Sequence, residues 1–312
     1  MKRVLLGCVP IVVVFFLLFA QSTIIRAYNY FARRESVRTN LTHTNILLAG
    51  SEPVGHLNEK YFEQLHLRLE QLISQNQGTI GISYIDMTTG ETVSINGSQM
   101  FLGASTNKVP MAMRIADLVY EGKLSWEQKI TYEQSDFEGG TGVLQGRIHV
   151  GDEFTIAQLL RYSIVYSDNI AKNMLFRMIA PSANEVIQNF YDTYLPEKQH
   201  KAIGNHFSSD VLARFLKVLY KGRGKNPGYQ TIYEYMQQTI FQDRLMTPQT
   251  KGYVAHKIGQ NGSYVHDMGL FSGEYPYVLV VMTNGTPHAK ELISEISNLV
   301  WSMQHADYLE PL

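Results

Sequence analysis

This chain has very little cysteine and almost no net charge. It has one cysteine, Cys8, in 312 residues, and a formal net charge of −1 at pH 7. A single thiol cannot close a disulfide within the chain, and no cysteine-based zinc site is available. The near-neutral charge argues against nucleic acid as a partner, because phosphate binding needs an excess of lysine and arginine. The rest of the composition, 45% hydrophobic and 18% charged, is typical of a globular protein, and we predict no cofactor.

The N-terminal part of the chain also lacks charge. Residues 4–25 contain no charged side chain, a run long enough to cross a bilayer as a helix. We therefore predict a membrane anchor or signal segment over residues 1–27, a linker over 28–57 and a catalytic domain over 58–312. The expected location is the cell membrane, with one N-terminal span and an extracytoplasmic domain. If the segment is a signal peptide that is cleaved, the protein is secreted instead.

Hydrophobic periodicity in the remaining chain predicts the fold. Residues 58–75 carry a helical stripe, and 79–86 and 91–95 form a predicted hairpin around 87–90. Helical patterns follow, then three predicted strands at 253–257, 265–272 and 277–283, and a closing helix over 289–304. This order predicts an α/β protein of the α+β type. Its five-stranded antiparallel sheet is flanked by helices, with an all-α lobe inserted between strands 2 and 3.

A Ser-x-x-Lys sequence lies at the predicted start of a helix, at Ser105 and Lys108. Residues three apart share a helix face, so the hydroxyl and the amine can meet. A serine becomes nucleophilic when a base takes its proton, and a lysine can do so if burial lowers its pKa. The same four residues can also be an ordinary helix start, so the motif alone does not identify a nucleophile.

Two further motifs follow in a fixed order. Ser167-Asp168-Asn169 begins 62 residues after Ser105, and Lys257-Ile258-Gly259 begins 90 residues after Ser167. Together with Ser-x-x-Lys, these motifs resemble those of the penicillin-recognising serine enzymes, closest to class A β-lactamases. The resemblance runs from about residue 78 to residue 304.

This resemblance implies a catalytic set. Ser105 would attack a β-lactam or peptide carbonyl and become acylated, with Lys108 as the base. Ser167 would pass a proton to the leaving nitrogen, while Asp168 would brace its own turn. The implied substrate-binding residues are Asn169, Lys257, Gly259 and Gln260, with the backbone N–H groups of Ser105 and Gln260 forming the oxyanion hole.

Three departures from the class A pattern affect later steps. Ile258 stands where the family has a threonine that helps to hold the substrate carboxylate, and no arginine lies near Met268. The family's deacylating glutamate, in a Glu-x-x-Leu-Asn context, has no clear counterpart. Glu197 is the sole glutamate between residues 189 and 208 and is the candidate deacylation base. Acylation chemistry is therefore expected to be intact, while carboxylate binding and deacylation are open.

Three functions remain open at this point. The first is a β-lactamase, and the second is a D-alanyl carboxypeptidase or endopeptidase acting on peptidoglycan stem peptides. The third is a penicillin-binding protein that releases its adduct slowly or not at all. The expected partners are a small β-lactam or a peptide, and the membrane, for a monomeric protein. His256 and His266 could face each other across a hairpin, but with Asp267 as the one further ligand we expect structural histidines and no metal.

Overall fold

The computed structural model describes residues 59–197 and 200–305. The predicted anchor and linker, residues 1–57, lie outside this range. None of the helices in the described part is long and apolar enough to span a membrane. Eight α-helices are found there: α1 (Glu59–Ser74), α2 (Lys108–Tyr120), α3 (Ile156–Val165), α4 (Asn169–Phe176), α5 (Ala183–Tyr194), α6 (Ser209–Gly222), α7 (Pro227–Gln237) and α8 (Ala289–His305).

Nine strands form one main sheet and two small ladders in the described residues. They are β1 (Thr79–Asp86), β2 (Thr92–Ile95), β3 (Phe101–Leu102), β4 (Lys129–Thr131), β5 (Glu153–Thr155), β6 (His206–Phe207), β7 (Val254–Asn261), β8 (Tyr264–Phe271) and β9 (Tyr277–Asn284). The main sheet has the order β2-β1-β9-β8-β7, and each neighbouring pair is antiparallel. The predicted five-stranded antiparallel sheet is confirmed.

Strand β9 lies at the centre of the sheet because both of its faces are apolar. Along it, Tyr277, Leu279 and Val281 belong to a core shared with α1 and α8 on one face of the sheet. The residues between them, such as Val278 and Val280, belong to a second core shared with the inserted helices. Successive side chains of a strand point to opposite faces, so a run of apolar residues suits a strand that is covered on both sides.

The insertion between β2 and β7 contains α2 to α7, as the sequence predicts. It is not wholly helical, because the short ladders β3–β6 and β4–β5 also lie within it. The β3–β6 ladder pairs Phe101 with Phe207 and Leu102 with His206. It therefore joins the segment before Ser105 to the segment before α6.

The predicted limits of two helices shift by one residue. The helix predicted over 58–75 spans Glu59–Ser74, and the closing helix predicted over 289–304 spans Ala289–His305. Helix α5 has no counterpart among the predicted elements. It is capped by the Ser182 hydroxyl, which accepts a hydrogen bond from the Glu185 N–H at 3.3 Å. Such a cap followed by apolar residues at helical spacing is a recognisable helix signal.

Candidate active site

Ser105 lies in a turn that is tighter than the helix predicted from the sequence. Ala104–Asn107 form a single 3₁₀ turn, and α2 begins at Lys108. Pro110 occupies the first turn of α2, where a missing N–H costs no helical hydrogen bond. Ala104 has φ 48°, a left-handed conformation that is costly for a residue with a Cβ. The turn places Ser105 among the residues that line the cleft, at the N-terminal end of α2.

Strand β7 approaches this turn closely because it carries a glycine there. A Cβ at Gly259 would lie 2.8 Å from the carbonyl oxygen of Gly103 and 3.0 Å from Cγ2 of Thr106. The first of these is closer than real Cβ atoms come to another heavy atom. Gly259 therefore acts through its lack of a side chain, which lets the backbone of Gln260 reach the cleft that Ser105 lines.

A continuous chain of hydrogen-bonding groups joins the three sequence motifs. Lys108 Nζ lies 2.9 Å from Ser105 Oγ and 3.2 Å from Ser167 Oγ. Lys257 Nζ lies 2.8 Å from Ser167 Oγ on the other side. Residues 62 and 152 positions away in the sequence are thus linked to Ser105 through Lys108.

The amine of Lys108 has two partners that can only accept. Its Nζ donates to the Ser167 carbonyl oxygen and to Asn169 Oδ1, both at 2.7 Å. The orientation of the Asn169 amide is fixed, because its Nδ2 donates to the Gly139 carbonyl oxygen at 2.8 Å. A neutral amine has two N–H groups and one lone pair. With both N–H groups engaged in this way, the lone pair of a neutral amine is left for a hydroxyl, and that of Ser105 is the nearer at 2.9 Å, against 3.2 Å for Ser167.

Burial lowers the pKa of both lysines. Lys108 is 1% exposed and Lys257 is fully buried. Burial lowers the pKa of Lys108 well below its ordinary value, and the positive charges of Lys257 and Lys172 lower it further. Burial also lowers the pKa of Lys257 to about 7, against an opposing effect of Asp267. A buried ammonium without a paired carboxylate is costly, so the proton is held loosely.

Asp168 holds the turn that presents Ser167 and Asn169. One carboxylate oxygen accepts from the backbone N–H groups of Val143 and Leu144, at 2.6 and 2.9 Å. The other caps α4 by accepting from the Ala171 N–H at 2.9 Å. These contacts fit the bracing role expected for Asp168, and they tie the glycine-rich loop at 138–142 to the cleft.

The cleft is a polar cavity of about 290 Å³. Four of the sequence-predicted site residues line it, namely Ser105, Lys108, Asn169 and Gln260. Ser167 and Lys257 are buried behind them at 1% and 0% exposure. Among the lining residues that the sequence analysis did not single out for the site are Glu138, Lys172 and Asn205.

Glu197 does not lie among the residues that line the cleft. Its carboxylate forms an ion pair with Arg214 of α6, and its side chain is 53% exposed. This position gives no support to the expected role of Glu197 as the base for deacylation.

Asn205 contacts the backbone just before Ser105. Its side-chain Nδ2 donates to the Ala104 carbonyl oxygen at 2.9 Å, and its backbone carbonyl oxygen accepts from the Gly103 N–H at 2.7 Å. Lys201, four residues earlier, lines a neighbouring groove and not the cleft.

An arginine does support the substrate side of β7, although none lies on β8. Arg244 is 1% exposed and precedes β7. Its Nη1 donates to the carbonyl oxygens of Gly259 and His266, at 3.2 and 2.8 Å, and its Nη2 donates to Gln260 Oε1 at 2.6 Å. It holds the end of β7 from a position that no local sequence pattern indicated.

The two histidines of the β7–β8 hairpin have separate partners and do not face each other. The register places Gly269 opposite His256 and Gly259 opposite His266. His256 Nδ1 lies 2.8 Å from Asp267 Oδ2, with both residues fully buried. His266 accepts from the Thr283 N–H at 3.1 Å and contacts the Leu102 carbonyl oxygen at 2.9 Å. Burial lowers the pKa of His266 to about 4, so it is neutral.

Comparison with known proteins agrees with this geometry. The chain matches the model of the beta-lactamase enzyme family over residues 64–304 and belongs to that family. It is therefore a serine hydrolase of the class A type, and the resemblance seen in the three motifs is confirmed.

The relatives are distant in sequence. Beta-lactamase VEB-1 of Pseudomonas aeruginosa is 23% identical over 271 residues, which cover 77% of this chain and 90% of that protein. Beta-lactamase ROB-1 of Haemophilus influenzae is 34% identical over 116 residues, covering 37% of this chain and 36% of that protein.

Solved structures share the fold over most of the described chain. A mutant of PBP-A in an acyl-enzyme complex with penicillin G superposes with a TM-score of 0.69 and 25% identity, covering 77% of this chain and 96% of that one. A beta-lactamase from Sphaerobacter thermophilus has a TM-score of 0.68 and 21% identity, covering 80% of this chain and 98% of that one. The latter likeness concerns the fold.

Proposed function

We propose that Ser105 is the nucleophile of this hydrolase and that it forms an acyl-enzyme with β-lactam amides. The observation that carries the proposal is the hydrogen-bonded chain from Ser105 through Lys108 and Ser167 to Lys257. Neutral Lys108 takes the proton of Ser105 as Oγ attacks the carbonyl carbon. Ser167, in contact with both lysines, passes a proton to the leaving nitrogen. The N–H groups of Ser105 and Gln260 stabilise the developing oxyanion.

Substrate binding involves the far side of the same cleft. Lys257 supplies positive charge toward a substrate carboxylate, with Asn169 and the backbone of Gly259 and Gln260 along the substrate. Arg244 adds a second buried positive charge next to Gln260. This arrangement compensates for the absence of a threonine hydroxyl at Ile258.

Release of the acyl group is the slow step in this proposal. An acyl-serine ester persists unless a base activates water beside it, help that is typically worth about 10²–10⁴ in rate. No glutamate between residues 189 and 208 stands in the family's Glu-x-x-Leu-Asn context, and Glu197 is paired with Arg214. We therefore expect penicillin to acylate the protein and the acyl group to be released slowly.

The expected slow release of the acyl group also favours a second candidate function. An enzyme that acylates well but activates water poorly also suits a D-alanyl peptidase on peptidoglycan stem peptides, or a penicillin-binding protein without turnover. The structural neighbour PBP-A, in its mutant form, has been trapped as an acyl-enzyme with penicillin G. Deacylation kinetics decide between these functions and a β-lactamase.

The test is intact-protein mass spectrometry after exposure to penicillin, followed over time. A transient adduct indicates turnover, and a lasting adduct indicates a binder or peptidase. Burst kinetics with a chromogenic β-lactam complete the test in wild type and Glu197→Gln. We expect a stoichiometric burst and a slow steady state that are equal in both proteins. Fast turnover in wild type that collapses in Glu197→Gln would contradict the assignment of slow release.

The proposal extends to location. The uncharged run at residues 4–25 supports an N-terminal anchor that holds a monomeric domain outside the cytoplasm. Fractionation of cells that express the full chain and a variant starting at residue 28 tests the anchor. Recovery of both from the soluble fraction would contradict it.

A further inference from the structure

The cleft contains a carboxylate that the family's motifs do not account for. Glu138 is the sole carboxylate among the described residues that line the cavity with Ser105 and Lys108. It lies on the glycine-rich loop at 138–142, not in the segment after Asn189 where the family's glutamate is found. The loop's position is fixed by its neighbour Gly139, whose carbonyl oxygen accepts from Asn169 Nδ2 at 2.8 Å.

Only one of the two carboxylate oxygens of Glu138 accepts hydrogen bonds from the described residues. Its Oε2 accepts from Lys172 Nζ at 2.7 Å and from Asn173 Nδ2 at 3.0 Å. Its Oε1 accepts no hydrogen bond from the described residues, and the side chain is 46% exposed. A carboxylate fixed in this way keeps one oxygen available to a water molecule.

The charge of Glu138 acts on the catalytic amine. It opposes the lowering of the Lys108 pKa that burial and the other lysines cause, so the two groups are electrostatically coupled. Partial burial raises the pKa of Glu138, but Lys172 and Asn173 outweigh this effect and leave the pKa below its ordinary value. Glu138 is therefore ionised at neutral pH but only weakly basic.

Two other acceptors of the cleft lack a donor. Asn107 Oδ1 and Asn205 Oδ1 are buried and have no hydrogen-bond partner within the described part of the chain. Both residues line the same cavity as Ser105 and Glu138. The Asn205 assignment is fixed, because its Nδ2 already donates to Ala104. Buried acceptors in a polar cavity are usually satisfied by an ordered water.

From these observations we infer that Glu138 is the base that activates water for release of the acyl group from Ser105. The inference rests on the proposed acylation of Ser105. A water donates one hydrogen to the amide oxygen of Asn205 or Asn107 and the other to Glu138 Oε1. Its oxygen bonds to the ester carbon while Glu138 takes its proton. The bond from that carbon to Ser105 Oγ then breaks, the proton taken up by Glu138 passes through Lys108 to Oγ, and the product leaves as a carboxylic acid with Glu138 and Lys108 back in their starting forms.

The ion pair explains why this step is slow. Lys172 and Asn173 stabilise the carboxylate form of Glu138, so its affinity for the proton of water is reduced. Glu138 thus provides a weaker base than a free carboxylate would, and deacylation remains slower than acylation.

The experiment measures adduct formation and adduct decay separately. Wild type, Glu138→Gln and Lys172→Met are acylated with penicillin G, freed of excess antibiotic by gel filtration, and followed by intact-protein mass spectrometry. We expect Glu138→Gln to acylate within about two-fold of wild type but to lose the adduct roughly 10-fold more slowly or worse, within the range of general-base effects. The thermal midpoint of each variant is measured in parallel.

Lys172→Met is the matched control because it breaks the same ion pair and keeps the carboxylate. Its adduct should decay at least as fast as that of wild type. Because the Glu138 pKa rises without Lys172, the pH below which decay is lost should move upward. Equal slowing in both variants would mean that the pair is only structural and would overturn the inference. An unchanged rate of adduct decay in Glu138→Gln would also overturn the inference. Absence of any adduct in wild type would instead overturn the proposed function, and this inference with it.

Discussion

Replacement of Lys108 is the sharpest test of the acylation mechanism. In Lys108→Met the base is lost, and general-base help is worth about 10²–10⁴ in rate. At about 1.4 kcal/mol per factor of ten, the barrier to acylation should rise by about 3–5 kcal/mol. Lys108→Arg should fail as well, because a guanidinium stays charged and cannot accept a proton.

The fold should survive this replacement. The Ser167 carbonyl oxygen keeps a donor in Thr141 Oγ1 at 2.8 Å, and Asn169 Nδ2 keeps its bond to Gly139. Asn169 Oδ1 and Ser105 Oγ lose Lys108 as a donor, and a buried acceptor left without one costs about 1–3 kcal/mol. Removal of a poorly solvated amine offsets part of that cost.

The assay is stopped-flow acylation by a fluorescent penicillin, with circular dichroism as the check on folding. We expect a folded Lys108→Met protein whose acylation is at least about 100-fold slower. Acylation of Lys108→Arg at the wild-type rate would refute the reasoning, because Lys108 would then act as a positive charge and not as a base.

Four further predictions follow from the site. Ser105→Ala should abolish acylation while the protein stays folded, and normal labelling by the fluorescent penicillin would show that another residue is the nucleophile. The acylation rate should fall as the pH drops through the Lys108 pKa; a rise centred near 10.5, the ordinary lysine value, would contradict the lowered pKa. Gly259→Ala should slow acylation by about 10²–10³, the usual effect of losing an oxyanion donor, as judged by the same stopped-flow assay. Gly224→Ala is its control, because a Cβ there meets nothing within 4 Å. His266, with a pKa of about 4 against 6.5 in an unfolded chain, should cost stability as the pH falls from 6.5 to 4. That loss is about 3 kcal/mol. When the pH is lowered from 6.5 to 4, the free energy of unfolding in urea should therefore fall by this amount more in wild type than in His266→Gln.

The sheet and the candidate catalytic residues can both be predicted from the sequence. Tyr277 to Met282 form an uninterrupted apolar run, which indicates a strand covered on both faces, and this strand is the centre of the sheet. Ser105, Lys108, Ser167 and Lys257 carry distinctive side chains in a distinctive order. Their meeting is a consequence of topology, but their chemistry can be read from the residues themselves.

The parts that were missed depend on contacts between distant segments. Arg244 acts through carbonyl oxygens of β7 and β8, and nothing in its neighbourhood marks it. Glu138 lies in a loop that no sequence motif connects with the cleft. Position along the chain makes Glu197 the candidate base, and its ion pair with Arg214 of α6 joins two segments that local sequence patterns do not bring together.

The pairing of β1 with β9 has a consequence for how the protein is made. Thr79 is opposite Asn284, so the sheet joins the beginning of the domain to its end across about two hundred residues. Contacts of such large sequence separation form late and slow folding. Until β9 has been synthesised, one edge of β1 has no strand beside it, and an unpaired apolar edge invites association with other chains. The nascent chain therefore depends on being kept apart from its neighbours until its last strand has emerged.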